Sequence, residues 1–111
     1  MATGSVKGYR TGTVTGYNSS SPSMDVRQVG NVVTINGYCN NVAMPSGKWA
    51  TLSGVDLPPV AVRTLCGVAS GAYEHPQDVA YVVIATNGDL DIGSNVSSGR
   101  RAIWFSVSYI V

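Results

Sequence analysis

Along the whole chain, short runs in which apolar and polar residues alternate are separated by Gly, Pro, Asn and Ser. No stretch shows the i, i+3, i+4 spacing of a helix. The pattern predicts an all-β protein. YRTGTVT (Tyr9–Thr15) is the first such run, and a polar loop covers residues 16–23. MDVRQV (Met24–Val29) puts Met24, Val26 and Gln28 on one face. Gly30-Asn31 reads as a two-residue hairpin turn in which the glycine supplies positive φ at the first position, and Val32–Cys39 returns as the partner strand. The chain is expected to loosen over Asn40–Gly47 and to form a strand near Trp49–Leu52. The Pro58-Pro59 pair cannot donate to a ladder, so it marks a rigid entry to the next strand, Val60–Ser70.

Ala72–Asp78, AYEHPQD, reads as an exposed polar loop. Val79–Thr86 is the most apolar run and is expected to be a central strand buried on both faces. Asn87-Gly88 signals a type I′ hairpin, after which Leu90 and Ile92 point inward and Asp89 and Asp91 take the opposite face. A second loop, GSNVSSGRR, leads into Ala102–Val111. There Ile103, Phe105, Val107 and Tyr109 make one wholly apolar face. The other face mixes Ser with Trp104 and Ile110, as a surface covered by another subunit would. About eight strands with short turns predict an antiparallel β-sandwich or jelly-roll-like barrel. The length of 111 residues predicts one domain spanning 1–111.

Composition sharpens this picture by exclusion. Hydrophobic residues make up 44% of the chain, enough for a core without covalent staples. Charged residues make up 12%, about half the usual share, and the net charge is +1. That balance leaves no electrostatic footprint for nucleic acid or an anionic membrane. No apolar run is long enough to span a bilayer, and MATGSVKGYR lacks the apolar region of a secretory signal. The expectation is a soluble protein made in the cytoplasm. Cys39 and Cys66 fit no zinc spacing, and His75, the single histidine, cannot complete a ligand set. No metal and no cofactor are expected. Free buried thiols are the favoured reading, with a disulfide open if two strands bring them together.

No catalytic residues are predicted. His75 has Glu74 beside it and Asp78 nearby, but no serine stands in a nucleophile elbow. Asp25, Asp56, Glu74, Asp78, Asp89 and Asp91 are the whole carboxylate set, and five of these sit beside turns or on polar faces rather than across an apolar cleft.

The order of the signals carries a resemblance. VRQVGNVVTING (Val26–Gly37), TLSGVDLPPVAVRT (Thr51–Thr64), VVIATNGDLDI (Val82–Ile92) and WFSVSYIV (Trp104–Val111) follow one another as in the C-terminal head domains of bacteriophage tail fibres and receptor-binding proteins. In that pattern a "kvGnvVt" hairpin is followed by a "tLP" segment, a "v.I..nG.i.i" hairpin and an aromatic closing strand. The resemblance covers most of residues 9–111. It implies a homotrimer of β-barrels on the phage tail tip that adheres to a host cell-wall or surface polysaccharide and contacts other tail or baseplate proteins. It involves no nucleic acid, no membrane insertion and no enzymatic step. Residues 1–8 would be flexible or the remnant of an upstream attachment segment. The chain would then be an excised head domain or a small standalone appendage. The alternative class is a structural virion component, such as a baseplate or capsid decoration protein, making protein contacts only. A small glycan-processing enzyme is the third.

Saccharide sites pair an aromatic platform with planar polar groups. Trp49, Tyr73, Trp104 and Tyr17 are the candidate platforms. Glu74, His75, Asp78, Arg100 and Arg101 are candidate partners on the two longest polar loops. The expected contact set is Tyr73, Glu74, His75, Asp78, Arg100, Arg101 and Trp49. Each also has a plainer reading. Trp104 suits core or subunit interface, Trp49 suits core as well as surface, and Arg100-Arg101 suits a solubilising strand edge. A surface rich in Ser, Thr and Val, with few charges to guard strand edges, also points to burial between subunits.

Overall fold

The computed structural model describes residues 9–16, 23–43, 47–70, 73–74, 78–96 and 99–111. These residues contain nine strands and no helix: β1 Tyr9–Gly16, β2 Ser23–Val29, β3 Val32–Ala43, β4 Lys48–Ser53, β5 Val62–Ser70, β6 Tyr73–Glu74, β7 Ala80–Ile84, β8 Asp89–Ser94 and β9 Arg100–Ile110. Eight of them close an antiparallel barrel in the order β5-β7-β8-β4-β1-β2-β3-β9, with β9 returning to β5. The short β6 adds to the end of β5.

Two strands turn the corners by dividing their length between neighbours. β1 pairs with β2 through Tyr9–Gly12 and with β4 through Thr13–Gly16. β5 pairs with β7 through Val62–Cys66 and with β9 through Gly67–Ala69. A glycine stands at each change of partner, as tight barrel corners favour. A Cβ on Gly12 would lie 2.7 Å from the Ser53 carbonyl oxygen and 2.8 Å from Val26 Cγ1, and one on Gly67 would run into the Trp104 indole. Gly12→Ala is therefore expected to destabilise by about 1–3 kcal/mol through overpacking, read as a lower midpoint in urea unfolding. A midpoint equal to wild type would show that the corner can open without strain.

Single-faced alternation forms most of the core. β2 turns Val26 and Gln28 inward, β8 turns Leu90 and Ile92 inward, and β9 buries Ile103, Phe105 and Tyr109. Gly30 has φ 59° and joins Val29 to Val32 in the two-residue turn the sequence predicts. Leu90 and Ile92 force Asp89 and Asp91 outward, where Asp89 Oδ1 lies 3.2 Å from Lys48 Nζ.

Four local expectations are corrected. Asn40–Ala43 extends β3 instead of loosening, because a bulge between Cys39 and Val42 absorbs one extra residue and keeps both buried. Tyr73–Glu74 forms β6 within the segment read as a polar loop. β7 is not buried on both faces: Ala80, Val82 and Ile84 are buried while Tyr81 and Val83 are partly exposed. The Asn87-Gly88 turn is a three-residue loop rather than a type I′ pair. Gly88 N–H donates to the Ala85 carbonyl and Ala85 N–H to the Asp89 carbonyl, which leaves Thr86 and Asn87 at the centre and Gly88 at φ 96°.

Polar contacts stand at the two ends of β9. At the β2–β3 end, the Gln28 side chain is 1% exposed and fully used. Its Oε1 accepts from Arg10 Nη2 and the Asp56 N–H, and its Nε2 donates to the Gly30 carbonyl and Asp56 Oδ2. Tyr109 Oη donates to the Asp56 carbonyl at 2.6 Å, tying the β4–β5 connection across this mouth. At the other end of β9, Arg101 Nε donates to Asp78 Oδ2 at 2.9 Å.

Asp56, Cys66 and Tyr109 are groups of the fold with displaced titrations. Hydrogen bonds from Gln28, then Arg10, hold the Asp56 carboxyl below its ordinary value. Its contribution is present above the unfolded pKa near 3.8 and is lost as pH falls through the depressed one. Burial pushes the Cys66 thiol up to about 12, and burial with the nearby Asp56 charge pushes the Tyr109 phenol up to about 12. A raised folded pKa gives stability that is whole below the unfolded value and lost as pH rises through the folded one. Thermal melts are therefore expected to fall steadily between pH 9 and 12, and Tyr109→Phe should flatten the upper part of that fall. A melting temperature constant across this range would contradict the burial of both groups.

Candidate functional site

The candidate groups from the sequence divide sharply in the structure. Asp78 and Arg101 meet in an ion pair at 2.9 Å whose side chains are 18% and 16% exposed. Arg101 Nη1 also donates to the Arg100 carbonyl. Arg100 is exposed at the start of β9. Trp49 is overturned as a platform. It is 0% exposed and packs edge-on to Phe105, with ring centroids 6.4 Å apart at 71°. A bulge between Lys48 and Ala50 is the reason, since it lets Trp49 and Ala50 both face inward. Tyr73 and Glu74 are placed as β6, while their side chains, Tyr17 and His75 lie outside the described residues. Cys39 and Cys66 are not joined in a disulfide; the first is buried and the second partly so. Among the described residues no cluster of His, Cys, Asp or Glu could hold a metal ion.

An open groove of about 500 Å³ lies instead on the outer face where β2, β3, β9 and β5 run side by side. Its residues arise from simple alternation. With Cys39, Ile103 and Phe105 turned into the core, Asn36, Tyr38, Trp104 and Ser106 must point out. Register then assembles them: Tyr38 stands opposite Trp104, Asn36 opposite Ser106, and Gly67 on the other side of Trp104. Because Gly67 has no side chain, the indole lies down over β5. Trp104 is 38% exposed, Tyr38 46% and Leu65 72%, so an aromatic and aliphatic strip faces solvent.

Polar groups border that strip. Ser106 Oγ donates to Asn36 Oδ1 at 2.6 Å, which orients the amide and leaves its Nδ2 donors and the serine lone pairs for a ligand or water. Ser23 lines the same groove. The barrel uses an aromatic ring over a glycine a second time, with Tyr81 over Gly93, but there the Arg63 guanidinium sits 4.3 Å above the ring centroid. The second ring is thus enclosed, and Trp104 is the more available platform. A planar apolar surface beside fixed hydroxyl and amide groups can stack on the C–H face of a sugar ring and hydrogen-bond its hydroxyls. It provides no nucleophile–base pair.

Sequence reasoning named Trp104 as a platform but missed Tyr38, Asn36, Ser106 and Leu65. Their signal was the outward half of each alternating run, together with a lone glycine inside Val62–Ser70. No protein-family model, curated protein or solved structure matches the chain.

Proposed function

We propose that the protein is a non-enzymatic adhesion module, a phage receptor-binding head that recognises a saccharide on the host surface through the Tyr38–Trp104 groove. The observation that carries this reading is the Trp104 indole seated on Gly67 beside Tyr38, with the oriented Asn36–Ser106 pair at its edge. In this reading the barrel is a jelly-roll-like head, assembled as a homotrimer at the phage tail tip. An open groove covers only part of a ligand, whereas tight small-molecule sites enclose most of theirs. Adhesion then depends on several weak sites acting together, which is what an oligomer supplies.

A second surface favours subunit or virion contacts. Tyr9, Val29, Val32 and Ile110 form one cross-strand row over β1, β2, β3 and β9, and they are 46%, 53%, 40% and 66% exposed. Contiguous exposed apolar rows of this kind mark protein interfaces. The same row suits the alternative of a baseplate or capsid decoration protein.

Fluorescently labelled protein is expected to coat host bacteria, with Trp104→Ala and Tyr38→Ala each lowering the signal by about tenfold or more, the loss of one good stacking contact. Retained coating by both folded variants would place adhesion elsewhere. Binding to virion proteins alone would select the structural reading.

A further inference from the structure

We infer that the groove takes an uncharged glycan segment, built of neutral sugars and free of phosphate, sulfate and carboxylate groups. This rests on the saccharide reading above and narrows it. An anionic sugar is held by a guanidinium, an ammonium or convergent backbone N–H groups aimed into its site. The groove presents the Trp104 indole, the Tyr38 phenol, Leu65 and the uncharged Asn36, Ser106 and Ser23.

Among the described residues no basic side chain lines the groove. Of seven in the sequence, four are held in ion pairs at 2.9–3.2 Å: Arg10 with Asp56, Arg27 with Asp25, Lys48 with Asp89 and Arg101 with Asp78. Arg63 lies on Tyr81. Arg100 stands four residues before Trp104, roughly 13 Å away along an extended strand. Lys7 precedes β1 in the sequence. Beside the groove, Asp25 stands directly across from Asn36 with its carboxylate already paired to Arg27, so that edge carries a matched pair with no net charge to hold an anion. A neutral sugar can use every group present, its C–H face on the indole and its hydroxyls on Asn36 and Ser106.

The test is a glycan array carrying a neutral set (glucose, galactose, mannose, rhamnose and N-acetylhexosamine oligosaccharides) and an anionic set (uronate, sialate, sulfate and glycerol-phosphate glycans). It is probed with the full chain at low and high sodium chloride. The expected signals fall in the neutral set, change less than about twofold with salt because no counterions are released, and drop by about tenfold or more in Trp104→Ala and Tyr38→Ala. Asp91→Asn should match wild type. Trp104→Phe, which keeps a ring over Gly67, guards against loss by misfolding and should retain part of the signal. Signals confined to the anionic set, or equal in both sets, would overturn the neutral ligand while leaving saccharide adhesion standing. No signal in either set from folded protein would remove the saccharide reading itself.

Discussion

Trp49→Ala is expected to lower stability by about 3–5 kcal/mol, the range for emptying a large aromatic from a packed core. For a domain of this size that corresponds to a fall in Tm of more than about 12 °C. The indole is 0% exposed and meets Phe105 edge-on, so neighbours from opposite sides of the barrel lose their contact surface together. Trp49 also carries a cost of its own: its Nε1–H has no hydrogen-bond partner among the described residues. Trp49→Phe removes that donor while keeping most of the ring, and it should cost less than half as much as the alanine variant. Urea unfolding followed by far-ultraviolet circular dichroism measures both. An alanine variant within about 1 kcal/mol of wild type, against the usual scale of aromatic truncations, would mean that the indole does not fill the barrel.

The same residue shows what the sequence could and could not convey. Where a strand buries one face and pairs in register, alternation alone places its side chains. Met24–Val29, Asp89–Ile92 and Ile103–Tyr109 were legible for that reason, and the two-residue Gly30-Asn31 turn with them. Where a bulge shifts the register, alternation misleads. It left Trp49 undecided between core and surface and ended β3 too soon at Cys39, because neither extra residue has a local chemical marker. The Thr86–Gly88 loop misled differently, since Asn-Gly serves a three-residue loop as readily as a two-residue one. The groove was least legible. Tyr38, Trp104 and Gly67 come from three separate runs, and only the closure of β9 onto both β3 and β5 brings them together. Polar loop composition instead drew attention to Asp78 and Arg101, whose charges pair with each other.

Arg101→Met should therefore behave as a core lesion, leaving adhesion per folded molecule intact. Removing one partner of a buried ion pair costs about 3–5 kcal/mol, because the other charge stays in a poorly solvated place. With 16% and 18% of these side chains exposed, some water reaches the pair, so the lower end of that range is expected. Asp78→Leu should cost a similar amount by stranding the guanidinium. The double variant Asp78→Leu/Arg101→Met removes both charges and should lie within about 1 kcal/mol of wild type, since apolar replacement of a whole buried pair is often neutral. The resulting double-mutant cycle separates a structural role from recognition. A structural pair gives strong coupling in urea unfolding and an unchanged adhesion signal in the double variant, because Trp104 and Tyr38 are untouched. If the double variant melts like wild type yet no longer adheres, the pair contacts the ligand and the site lies where Asp78 meets the start of β9.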